Sequence, residues 1–134
     1  MITESKFLTE LKIALISEAS GTWKLDDKLE YQSKIFKDLI TVPSGFVTDF
    51  ASVPRVPIAY YLAGNTAHAA AVVHDYLYQT HIVSKFKSDR IFLEAMVVTE
   101  IPKWRRQVMY YAVVFFGWSS WRTGKKRFLI LGNI

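Results

Sequence analysis

Not one of the 134 residues is cysteine. That excludes disulfides, thiolate nucleophiles and zinc–thiolate sites, and it leaves the redox compartment open. No glycine-rich phosphate loop occurs, and the serines nearest the charged motifs, Ser44 and Ser52, lack a nucleophile-elbow context. The opening Met1-Ile2-Thr3-Glu4-Ser5-Lys6 lacks the cationic-then-apolar order of a signal peptide. The apolar run Val108 to Trp118 holds eleven residues, whereas a bilayer-spanning helix needs about 20. Acidic residues stop at Glu100: residues 101–134 carry seven basic side chains and no acid, against ten basic and twelve acidic before them. Such one-sided charge can steer an anionic partner, or can simply keep a chain end solvated. No motif supports nucleic-acid binding.

What is present is apolar. Hydrophobic residues make up 51% of the chain and aromatics 15%, which excludes disorder and suits one domain with its own core. Residues 1–50 read as β: Leu8 to Ile16, Trp23 to Leu25, Leu29 to Ser33, Leu39 to Val42 and Phe46 to Thr48, with Asp26-Asp27 and Pro43-Ser44-Gly45 as turns. Residues 51–118 read as helical. A helix at about 56–63 ends at Gly64-Asn65; Thr66 caps a second, to about Gln79. Ser84 or Ser88 opens a third, to about Glu100, and Pro102 a fourth, to about Trp118. The expected fold class is α+β, an N-terminal antiparallel β-meander followed by about four helices. Basic residues and Trp104, Trp118 and Trp121 flank the run Val108–Trp118, as in interfacial anchors. The competing reading is a core helix that is apolar all round. Residues 119–134 read as a basic, aromatic extension that docks on a partner or a sheet edge.

Two stretches place ionisable groups in apolar surroundings: Gly45-Phe46-Val47-Thr48-Asp49-Phe50-Ala51-Ser52-Val53-Pro54-Arg55, and His74-Asp75-Tyr76-Leu77-Tyr78. A buried carboxylate or imidazole costs several kcal/mol, on the order of 3–5, unless it is paired, hydrogen-bonded or metal-bound. On the next helix Asp89 shares a face with Phe92, Leu93 and Met96. An antiparallel helix pair would let His74 or Asp75 meet Asp89, with Asp49 arriving from the sheet. One imidazole and three carboxylates suit Zn²⁺, Mn²⁺ or Mg²⁺, or a metal-free acid/base pair. His68 could add a second imidazole; His81 is expected in a solvated loop. The structural alternative has Asp75 capping a turn, Asp49 paired with Arg55, and His74 donating to a backbone carbonyl.

The blocks Val42 to Arg55, His74 to Tyr78, and Lys85-Phe86-Lys87-Ser88-Asp89 through Phe92 and Met96 resemble a phage and prophage family catalogued as domain of unknown function 1353. The resemblance spans about residues 40–118. Lys85 stands where that family favours Arg, and Ser88 where it favours Ala. The resemblance implies a bacteriophage or prophage origin, hence location in host cytoplasm or virion. It points to the same four residues, Asp49, His74, Asp75 and Asp89. Two functions follow as expectations. One is a small metal-assisted hydrolase acting on cell-wall or other host material, with His74, Asp89 and Asp49 as ligands and Asp49 and Asp75 as catalytic groups. The other is a non-enzymatic virion accessory of tail or baseplate, or a host-factor binder, whose polar cluster is structural and whose segment 119–134 docks.

Overall fold

The computed structural model describes residues 2–50, 52 and 67–133. The expected helix at 56–63, its stop at Gly64-Asn65, the Thr66 cap and Arg55 lie outside the described residues.

The β half contains β1 (Lys6–Phe7), β2 (Ile13–Ser17), β3 (Thr22–Leu25), β4 (Leu29–Ser33), β5 (Asp38–Val42) and β6 (Val47–Thr48). All pairings are antiparallel, but the strands form two three-stranded sheets rather than one meander, in the orders β1-β4-β5 and β2-β3-β6. In β4 the period of two sends Leu29, Tyr31 and Ser33 inward. Tyr31 and Ser33 then donate to Glu94 at 2.8 and 2.7 Å, tying this sheet to the helices. Two residues past β6 comes Phe50, whose φ of +57° is unusual for a bulky side chain. Its N–H donates to Thr48 Oγ1 at 3.1 Å, which holds that turn.

Five helices follow among the described residues: α1 (Ala67–Thr80), α2 (Lys85–Val98), α3 (Lys103–Phe116), α4 (Trp118–Arg122) and α5 (Gly124–Ile130). Ser84 caps α2 by accepting from Lys87 N–H. The helix buried all round is α1, not the expected α3. From Ala70 to Gln79, only Tyr76 among its side chains is not fully buried. It packs on α2, α4, α5 and strands of both sheets. Residues 119–133, expected as a docking extension, form the largely exposed helices α4 and α5, which fold back onto α1. Gly124 lies so close to Tyr78 that a Cβ there would overlap the Tyr78 carbonyl, and Phe128 packs against the apolar core. Asn133 accepts from Val47 N–H and donates to Val47 O, both at 2.7 Å, occupying a position on β6 that a paired strand would take. Among the described residues no helix is long and apolar enough to cross a membrane.

Candidate functional site: a buried hydroxyl–imidazole–carboxylate chain

α1 and α2 set His74 and Asp89 face to face, with His74 Nε2 2.8 Å from Asp89 Oδ1. Tyr78, one turn after His74, donates its hydroxyl to the same oxygen at 2.6 Å. Lys85, one turn before Asp89, places its ammonium 2.8 Å from Oδ2. The other Lys85 N–H groups donate to the Val113 and Val114 carbonyls at 2.9 and 3.2 Å, so all three ammonium donors are used. On the other edge of the imidazole, Ser52 Oγ lies 3.2 Å from Nδ1. That serine lies two positions after Phe50. Exposure is 5% or less for each of Ser52, His74, Tyr78, Lys85 and Asp89.

The charge states follow from this packing. Burial holds the His74 imidazole below its ordinary 6.5, outweighing the pull of the Asp89 carboxylate. Burial alone would raise the Asp89 carboxyl, but the His74, Lys85 and Tyr78 contacts hold it below its ordinary 3.8. Tyr78 is pushed up by burial and by Asp89, and stays a donor. A neutral ring facing an acceptor-only carboxylate carries its proton on Nε2. Nδ1 is then an acceptor, and the Ser52 hydroxyl donates to it.

Folding stability should therefore fall as pH drops below 6.5, because unfolded His74 binds a proton that the folded ring refuses. The slope should approach about 1.4 kcal/mol per pH unit. A second loss should begin below 3.8, where unfolded Asp89 protonates first. Urea unfolding at stepped pH measures both. The His68→Gln variant should keep the first slope, and a flat profile between pH 7 and 5 would mean that the folded ring titrates like the unfolded one.

A second set of polar groups lies on the adjoining face of α1. Asp75 Oδ2 accepts from Thr48 Oγ1 at 2.6 Å and from Gln79 Nε2 at 2.8 Å, and Oδ1 accepts from Arg127 at 2.8 Å. Arg127 also lies 3.8 Å from Asp49 Oδ1 and donates to Ser120 O. One guanidinium thus bridges Asp49 and Asp75, and Asn133 extends the set through Gln79.

Of the four expected site residues, His74 and Asp89 touch directly, while Asp75 and Asp49 share Arg127. Among the described residues no group of three His, Asp or Glu side chains is placed to hold a metal ion. His68 is apart from the cluster, with its ring 5.9 Å from that of Phe50. His81 lies in a loop as expected but is half-buried rather than solvated: it stacks on Trp121 at 3.7 Å and bonds the Trp121 carbonyl at 2.9 Å. Sequence reasoning passed over Ser52, Tyr78, Lys85 and Arg127 as members of these networks. The spacings His74–Tyr78 and Lys85–Asp89 are both i,i+4, a signal that was available. Ser52 and Arg127 are joined to α1 only by the tertiary fold.

No curated protein and no solved structure matches the chain. A family model described as a protein of unknown function, DUF1353, matches residues 23–113. The match begins earlier than the expected 40–118 and stops within α3, so Arg127 lies outside it. Over that stretch, which carries Ser52, His74, Tyr78, Lys85 and Asp89, the chain belongs to the DUF1353 family.

Proposed function

We propose that the protein is a hydrolase that cleaves acyl bonds through Ser52, with His74 as general base and Asp89 as the group that orients it. The observation that carries this reading is the unbroken chain from hydroxyl to imidazole to carboxylate. A neutral imidazole with its far N–H fixed on a carboxylate is the arrangement that activates a serine hydroxyl. Here the ring nitrogens exchange their usual duties, with Nδ1 toward the serine. Either end of the conjugated ring can take the proton. In the proposed step the Ser52 proton passes to His74 Nδ1 while Oγ bonds to the carbonyl carbon. The imidazolium returns that proton to the leaving alcohol or amine as the C–O or C–N bond breaks. Water then attacks the Ser52 ester by the same route, releasing the acid and the free hydroxyl. Asp89, held ionised by Lys85, stabilises the transient imidazolium. The phage or prophage setting implied by the family resemblance makes cell-wall or other host material the first substrate class to try.

The burial of the same side chains favours a second reading, in which the network is a lock inside a non-enzymatic virion accessory or host-factor binder. A fluorophosphonate probe and simple activated esters separate the two. Covalent labelling at Ser52, lost in Ser52→Ala and persisting below pH 6.5 because the folded His74 ring stays neutral there, is the expected result. A folded protein that neither labels nor turns over ester sinks the serine mechanism and leaves the lock. Turnover that survives Ser52→Ala and requires added Zn²⁺, Mn²⁺ or Mg²⁺ would support metal-assisted hydrolysis, with the ion displacing Lys85 from Asp89.

A further inference from the structure

We propose that α3 seats the protein on the surface of an anionic lipid bilayer. This helix is apolar on two opposite sides. Met109 and Val113 are fully buried against the core. Trp104, Val108, Tyr111 and Phe115 recur at steps of four, three and four, which places them on one side of the helix. Their exposures are 56%, 54%, 54% and 66%. At about 100° per residue this second stripe lies across the helix from Met109 and Val113, and it runs for roughly 16 Å. Phe116 and Trp118, both exposed, follow directly.

The charge around the stripe identifies what it fits. Lys103 and Arg105 flank it on either side, and the Arg105 guanidinium lies 5.6 Å from the Trp104 ring centroid. Elsewhere in the C-terminal part Arg122, Lys125 and Lys126 stand exposed on α4 and α5, and no acidic residue follows Glu100 in the sequence. Indole and phenol rings settle at the headgroup level of a bilayer, and flanking cations meet lipid phosphates there. A second copy of this chain is a poor occupant, because two such faces would bring like charges together. The inference stands apart from the hydrolytic reading, since the stripe shares no residue with the polar network.

The test uses the full chain with vesicles of phosphatidylglycerol in phosphatidylcholine, against phosphatidylcholine alone. Co-sedimentation with the anionic vesicles and a blue shift of tryptophan emission are expected, with little of either on the neutral ones. The combined variant Trp104→Ser, Tyr111→Ser, Phe115→Ser should lose both signals while keeping the wild-type circular dichroism, because the replaced side chains are exposed. Lys103→Gln and Arg105→Gln should each lower partitioning roughly fivefold. Absence of binding to either vesicle, or equal binding by the triple variant, overturns the proposal. So does a dimer in sedimentation velocity that the triple variant dissolves without any vesicle binding, since that assigns the face to a second copy. Binding to an acidic protein without vesicle binding overturns it as well.

Discussion

Truncation after Trp118 should yield no stably folded protein. The segment removed contains Arg127, the cation bonded to Asp75 and paired with Asp49. Asp75 is fully buried, so the loss leaves an uncompensated charge in the interior, at about 3–5 kcal/mol. The same cut uncovers the side of α1 on which α4 and α5 pack, and removes the Asn133 bonds to β6. Against a total stability of about 5–15 kcal/mol, the sum is not survivable for a domain of this size. The check is circular dichroism and a urea transition on the truncated chain beside the full one. A truncated protein with a cooperative transition would restore residues 119–134 to the status of an extension.

Lys85→Met should destabilise the fold by about 3–5 kcal/mol, because it strips the counter-charge from a carboxylate sealed between two helices. Lys85 is 5% exposed and Asp89 2%, so water cannot substitute. The thioether side chain also leaves the Val113 and Val114 carbonyls without their donor. Combining Lys85→Met with Asp89→Asn should recover part of that loss, since the amide oxygen introduced still accepts from His74 and Tyr78 and carries no charge to neutralise. Denaturant midpoints for the two single variants and the double one give the coupling directly. If the double variant loses as much as the two singles added together, Lys85 and Asp89 are not energetically joined, and the ion pair is only a proximity.

The contrast between Lys85 and Arg127 shows what could be read in the chain. Lys85 lies one helical turn from Asp89, so local spacing contains the pairing, even though an arginine was the residue expected there. The lysine suits the site because a compact ammonium can divide its three donors among a carboxylate and two carbonyls. Arg127 sits in a run of basic residues, and composition alone reads such a run as solvated. Only the return of α5 onto α1 turns that guanidinium inward. Strands β3 to β6 and the bounds of α1, α2 and α3 were legible within a few residues because period, caps and prolines are local signals. The division into two sheets was not, because β6 pairs with β3 across the whole β4–β5 hairpin. Ser52 was legible as a serine beside the motif but was set aside for want of a nucleophile elbow, because its contact with His74, 22 positions later, is made only by the tertiary fold.

The C-terminal lock also sets the order in which this interior can be completed. Asp75 receives its cation from a residue 52 positions later, and β6 receives its last bonding partner 86 positions after Val47. While the chain is being made, α1 can coil and the early strands can pair, yet Asp75 has no cation to meet. The interior therefore closes only after Arg127 and Asn133 have been made. Until then the apolar sides of α1 stand open to whatever else is near the ribosome.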